Sequence, residues 1–381
     1  LNQYNNASVG STYGEWLILA LARGGIISGT DTSGAAVTYL ENAYSVLRDM
    51  RDTKMSQPTD YARVTLAMSA LGVEAPQSVL DVVRDYDRVA AQGINAVTYA
   101  LLALDSKPYK DAGDDALRDK YVALLLDNAC ESGGWVYGGD KTSTADVDMT
   151  AMVLQALAPY YLNGDANVKS AVDKGLSALK TMQQSTGGFA SYGQESCEST
   201  AQVIVALCRL GIDAQDARFV KEGGTLTDAL LRYQLEDGSF SHTPGGQSDP
   251  IATAQALMAL TALSCGERGA DLFVTFHDIA GVPQREAVET LASAGVLCGM
   301  GDGSFCPDAP VTVAQYYTAL ARAKGLEAEP GQGAWYEGYL EAAAREGLAQ
   351  PEELADPNAP MTQGQTRAQA AAELYELWKA A

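Results

Sequence analysis

Over its first two thirds the chain alternates two apolar patterns. The first is apolar around most of a helical circumference. It is clearest in Thr150-Ala151-Met152-Val153-Leu154-Gln155-Ala156-Leu157, in Thr200-Ala201-Gln202-Val203-Ile204-Val205-Ala206-Leu207 and in Thr253-Ala254-Gln255-Ala256-Leu257-Met258-Ala259-Leu260. Fainter copies end at Ala20-Leu21, Ala70-Leu71 and Ala103-Leu104, which makes six. A helix apolar on most sides is buried on several sides. The second pattern has one apolar face. Val37, Leu40, Tyr44 and Leu47 recur at helical spacing, with Asn42, Arg48 and Asp49 on the other side. Similar stretches lie near residues 77–91, 113–130, 166–183 and 224–235.

Buried helices alternating with half-exposed ones predict an all-α fold, an α6/α6 toroid with an inner ring of parallel helices and an outer ring around it. An open solenoid also stacks helix pairs, but six copies suit a closed ring, which needs no capping repeats. Five outer helices are evident in the pattern. The loops before the late inner helices share a form: Gly133-Gly134-Trp135-Val136-Tyr137-Gly138, then Gly187-Gly188-Phe189-Ala190-Ser191-Tyr192-Gly193, then Asp237-Gly238-Ser239-Phe240-Ser241-His242. Glycine permits the tight reversal and the aromatic supplies an apolar anchor. Here the chain resembles the terpenoid-cyclase/prenyltransferase-like toroid superfamily, over roughly residues 10–266. The resemblance implies a fold more than an activity. Its relatives include cyclases, prenyltransferase β-subunits, thioester-containing complement domains and cobalamin carriers.

Parallel inner helices would open their N-termini on one rim. Asp60, Asp146, Asp148, Glu198 and Asp249 fall at or just before those N-termini. A carboxylate there caps the helix. Ring closure would also bring several of them to one mouth. The expected ligand-binding set is Asp146, Asp148, Glu198 and Asp249 with Tyr137, Tyr192 and His242, while Trp135, Phe189 and Phe240 wedge the repeats together. Asp146-Val147-Asp148-Met149-Thr150-Ala151 looks like the D-x-D-D-T-A motif of class II terpene cyclases. That resemblance implies Asp148 as general acid, with Met149 standing where the motif has its last acid. The two histidines, His242 and His277, form no ligand-spaced pair with a cysteine, so no metal is expected. No cofactor fingerprint is present. Cys265-Gly266-Glu267-Arg268 looks like the C-G-E-Q thioester motif, but Arg268 cannot supply the acyl group.

After the toroid (residues 1–268) the pattern changes. A helix around 286–294, the Gly-rich loop Gly295 to Thr312 and a helix to about Lys324 resemble an S-layer homology module, 269–326. A poorer copy, 327–381, opens at Trp335-Tyr336, repeats the loop at Asp356-Pro357-Asn358-Ala359-Pro360-Met361-Thr362 and closes with the helix Arg367–Trp378. The resemblance implies attachment to wall polysaccharide and an extracellular or cell-surface location. The family's T-R-A-E-like stretch aligns with Thr312-Val313-Ala314-Gln315 and Thr362-Gln363-Gly364-Gln365, and neither carries Arg. Cys298 and Cys306 bracket the loop and could pair across it.

Composition narrows the function. The 381 residues carry 26 Lys+Arg against 48 Asp+Glu, a net charge of −22. That excludes a basic face for nucleic acid. No apolar run is long enough to span a membrane. The first residues show no basic or apolar leader, so any signal peptide lies upstream and has been removed. The sequence therefore predicts a surface protein whose toroid is a non-catalytic bowl for a small molecule, glycan or peptide. A cyclase using Asp148 and a structural scaffold are the alternatives.

Overall fold

The computed structural model describes residues 9–10, 13–27, 29, 33–48, 55–107, 109, 111–191, 193–267, 270–274, 276, 278–279, 282–300, 304–326, 334–361 and 364–380. The chain divides into two compact units. One is Leu1–Gly266 with Asp271–Val274, and the other is Glu267–Ala270 with Thr275–Ala381.

The first unit is the toroid. In chain order its helices are α1 (Gly14–Arg23), α2 (Ala35–Arg48), α3 (Pro58–Ala70), α4 (Gln77–Arg84), α5 (Tyr86–Gln92), α6 (Ile94–Asp105), α7 (Asp114–Asp127), α8 (Val147–Leu162), α9 (Ala166–Met182), α10 (Cys197–Arg209), α11 (Leu226–Leu231) and α12 (Pro250–Glu267). The inner helices are α1, α3, α6, α8, α10 and α12, and successive members from α1 to α10 pack side by side. Gln202 of α10 donates to Gln255 of α12 at 3.0 Å, and Thr261 of α12 donates to the Ala20 carbonyl of α1 at 3.4 Å. The ring is closed. Cys265 Sγ meets the Arg23 carbonyl one turn farther along both helices, so α12 and α1 run in the same direction.

A rule in the sequence repeats explains how the last three inner helices, α8, α10 and α12, begin. Thr150, Thr200 and Thr253 are buried, and each hydroxyl accepts the backbone N–H of the aromatic in the preceding loop. These are Trp135 at 3.0 Å, Phe189 at 3.1 Å and Phe240 at 2.9 Å. The bond satisfies a loop amide that would otherwise be orphaned in the core. The three aromatics are buried as expected, at 0%, 0% and 3% exposure.

The outer layer departs from the sequence reading in two places. The stretch near 77–91 is not one helix. It breaks at Asp85, whose carboxylate accepts the Arg88 N–H and starts α5 afresh. The stretch near 224–235 gives only the short α11, because Tyr233 is fully buried and Gln234 pairs with Phe240 in a β-bridge.

The second unit contains α13 (Arg285–Ser293), α14 (Val313–Ala323), α15 (Glu337–Arg345) and α16 (Arg367–Lys379), with α14 against α15 and α16, and α13 against α16. Two expectations change here. Helix α14 starts with a capping box between Thr312 and Gln315, and α16 starts with the same box between Thr366 and Gln369. The second copy of the four-residue stretch is therefore Thr366-Arg367-Ala368-Gln369, and it does carry Arg. An insertion after Pro360 displaces it; Thr362 and Gln363, assigned to it from the loop repeat, lie outside the described residues. The cysteines are also not joined. Cys298 Sγ takes a hydrogen from Arg322 at 3.0 Å, while Cys306 sits at φ 54° with its N–H on Asp278 at 2.7 Å and its thiol beside Ser304.

Candidate functional site

The N-terminal ends of the inner helices collect carboxylates, and the structure sorts them by what they already hold. Asp146 is the N-cap of α8 and accepts the Met149 N–H at 2.8 Å. Asp249 accepts the N–H groups of Ile251 at 2.8 Å and Ala252 at 2.9 Å at the start of α12. Asp60 closes a capping box on α3 and pairs with Arg63 at 2.8 Å. Capping accounts for these three, each for about 0.5–2 kcal/mol.

Glu198, in the first turn of α10, is tied to its surroundings. Its Oε2 accepts from Ser196 at 3.0 Å and meets His242 Nδ1 at 2.8 Å, joining two consecutive loops. The exposed His242 also fixes the helix, because its carbonyl accepts the Cys197 N–H at 3.0 Å. Burial, helped by the charges of Glu198 and Asp249, pushes the Cys197 thiol up, so Asp249 shares this neighbourhood.

Asp148 is different. It occupies the first turn of α8, where Asp146 already caps the helix. Its Oδ1 is buried without a hydrogen bond of ordinary length, and so is the Oγ of Ser199. Burial raises the Asp148 carboxyl above the usual range. The Ser199 and Ser191 hydroxyls pull it down, and the charges of Asp146 and Glu198 push it up further. On the neighbouring inner helix α6, Tyr99 lies within reach of the Asp148 charge and donates to Met152 Sδ at 2.9 Å. Arg63, Asn95, Tyr99, Met152 and Gln255 are the half-buried inner-helix residues around this end of the ring. Deeper in, Gln155 donates to Gln202 at 2.7 Å and Gln202 to Gln255 at 3.0 Å, a polar ladder across three inner helices.

The structure thus brings Asp146, Asp148, Glu198, Asp249 and His242 to one neighbourhood. Tyr137 is exposed on the loop between α7 and α8. Tyr192 lies outside the described residues. Ser199, Tyr99 and Arg63 were not legible as members. Glu15 was missed as well: it is completely buried in α1, with Tyr39 donating to it at 3.3 Å and the Arg63 guanidinium forming a looser ion pair 3.9 Å away. A charged residue inside an otherwise apolar run, Gly14-Glu15-Trp16-Leu17, was the available signal. Among the described residues no acidic, thiol or imidazole side chains gather in a group that could hold a metal ion.

With this geometry established, similarity to known families falls on both units. Residues 110–213 match the squalene-hopene cyclase C-terminal domain family. Residues 275–316 match the S-layer homology domain family. The chain joins a terpenoid-cyclase-like toroid to an S-layer homology region. The cyclase match contains Asp146, Asp148 and Glu198. The chain is also 27% identical over 159 residues to the drimenyl diphosphate synthase of Streptantibioticus cattleyicolor, covering 40% of this chain and 28% of that enzyme. The matched segment therefore spans under a third of that enzyme's length. Among the described residues no helix is long and apolar enough to cross a membrane.

Proposed function

We propose that the toroid binds a small organic ligand bearing hydrogen-bond donors, a glycan or peptide fragment, at the acidic end of its inner ring. The S-layer homology region would associate the chain with cell-wall polysaccharide at the cell surface. One observation supports the first part: the buried Oδ1 of Asp148 lacks a well-formed hydrogen bond, while capping or side-chain partners account for the neighbouring carboxylates. A buried acceptor left unmade costs about 1–3 kcal/mol, which a donor on a ligand would recover. The half-buried inner-helix residues, Arg63, Asn95, Tyr99 and Gln255 with Met152, are mostly polar and favour a polar ligand over a bare hydrocarbon. A thermal-shift screen of soluble wall glycans, short peptides, corrinoids and prenyl diphosphates tests this reading. A hit abolished by Asp148→Ala and kept by Asp146→Asn supports it; hits indifferent to Asp148 overturn it.

A second reading rests on the raised carboxyl of Asp148 and on its place within the cyclase-like segment. A raised carboxyl holds its proton to higher pH than an ordinary one, and the protonated acid is the form that can protonate an alkene. Met149 is 1% exposed and provides no second carboxyl at the motif's last position. Conversion of a prenyl diphosphate to a cyclic product, lost in Asp148→Asn, would favour this reading over binding alone.

A further inference from the structure

The second unit encloses a cavity of about 380 Å³ whose lining includes Cys298, Met300, Thr318, Arg322, Trp335 and Arg367. That volume falls in the range of small-molecule sites. Its polar groups are built in rather than incidental. Arg367 is 7% exposed and donates Nε to the Phe305 carbonyl at 2.7 Å and Nη2 to the Cys298 carbonyl at 2.9 Å. Arg322 lies over the Tyr339 ring at 4.6 Å and donates Nη1 to Cys298 Sγ at 3.0 Å. Thr318 is 2% exposed, and its hydroxyl is buried without a hydrogen-bond partner. One carboxylate, Glu267, lines the cavity alongside the two guanidinium groups, and two others nearby are occupied. Asp278 accepts the N–H groups of Phe305 and Cys306, and Glu373 accepts from Tyr316 and Gln365. Met300 and Trp335, 52% and 62% exposed, leave the cavity edge open to solvent.

We propose that Cys298 is a covalent modification site for a low-mass disulfide carrying carboxylates, with the cavity holding the attached half. The Arg322 guanidinium donates to the sulfur and so sets positive charge beside the atom that attacks in thiol–disulfide chemistry. Thiol–disulfide exchange then needs only the disulfide as co-reactant. Cys298 loses its proton to solvent. Its sulfur attacks one sulfur of RS–SR, the Cys298–SR bond forms, the RS–SR bond breaks, and RS⁻ departs with the electron pair and takes up a proton. Arg322 and Arg367 supply charge for the carboxylates, and Thr318 supplies a free hydroxyl. The other thiols are less suited. Cys130, Cys197 and Cys265 are buried, burial pushes Cys208 up to about 12, and Cys306 does not line the cavity.

The test treats the native full-length chain with oxidised glutathione and, separately, with cystamine, and maps adducts by mass spectrometry of unreduced peptides. The chain's net charge of −22 would by itself favour the cationic cystamine. Glutathionylation of Cys298 about tenfold faster than its modification by cystamine would show that the local guanidinium charge governs the site. Arg322→Gln should remove that preference and Arg322→Lys should keep part of it. Because a variant could disturb folding, the comparison of the two probes on the unaltered chain decides by itself. Faster reaction with cystamine, an adduct on another cysteine, or closure of a Cys298–Cys306 disulfide with no mixed disulfide would each overturn the proposal.

Discussion

Asp148 and Ser199 face one another from the first turns of α8 and α10, and the buried Oδ1 of one and Oγ of the other both lack an ordinary hydrogen bond. The Ser199 hydroxyl still pulls the Asp148 carboxyl down, but buried polar atoms without a well-formed hydrogen bond cost stability. The raised carboxyl of Asp148 fixes the sign of its pH effect. Its native pKa lies above the unfolded value, so the native state holds the proton more tightly and loses stability as pH rises through that interval. Asp148→Asn should therefore stabilise the toroid at pH 8 by about 1–2 kcal/mol, the scale of one relieved buried group, and change little at pH 3. It should also abolish ligand-induced thermal shifts. Denaturant melts of both chains at the two pH values check it.

Glu15 gives a second, larger titration. Burial raises its carboxyl from an ordinary 4.5 to about 7, against the opposing pull of the Gly10 N–H, the Arg63 charge and Tyr39. The native state again binds the proton more tightly. The cost is absent below the unfolded value, grows between about pH 4.5 and 7, and is complete above it. It amounts to roughly 3 kcal/mol for a group this deeply buried. Glu15→Gln keeps an acceptor for Gly10 and Tyr39 without the charge. Its melting temperature should exceed that of the parent at pH 8 and converge with it at pH 4. Equal melting curves at both pH values would show that Arg63 compensates the buried charge in full.

How much of this was legible follows from where each signal resides. The inner helices were, because Ala and Leu around a whole circumference admit only burial, and Thr150, Thr200 and Thr253 mark the starts of the last three in the sequence itself. Asp148 was legible through its motif. Its distinction from Asp146 was not, since only three dimensions show which carboxylate the helix N-terminus consumes. The break at Asp85 escaped because apolar spacing continues smoothly across it, and a cap outweighs that spacing locally. Arg367 was placed outside its own motif because the loop repeat and the helix repeat are separated by an insertion, so aligning one misaligns the other.

Trp135 tests the wedge between repeats. It is fully buried, and its indole N–H donates to the Leu125 carbonyl near the end of α7 at 2.7 Å. Trp135→Phe should cost about 1–3 kcal/mol, since that carbonyl loses its indole donor, and Trp135→Ala about 3–5 kcal/mol from the added cavity. Its neighbour Gly134 has φ +78°, and a Cβ there would lie 2.8 Å from both the Ala145 Cβ and the Thr150 hydroxyl. Gly134→Ala adds about 1–2 kcal/mol of left-handed backbone cost to that clash. Urea denaturation followed by tryptophan fluorescence and circular dichroism ranks the three variants.

Arg367 decides whether the recovered motif in the second unit supports the fold or only presents a charge. Its Nε and Nη2 bind two carbonyls from the loop between α13 and α14, and its guanidinium lies over the Phe305 ring at 4.6 Å. Those contacts need a planar fork with fixed angles, which an ammonium cannot reproduce. Arg367→Lys should thus be nearly as damaging as Arg367→Ala, each costing about 2–4 kcal/mol through the two buried carbonyls left unpaired. Limited proteolysis of the full chain checks it, with faster cleavage within 295–312 expected in both variants. If lysine restored the parent's resistance, charge alone would be the requirement, and the arginine would be available to an anionic wall polymer rather than committed to its own loop.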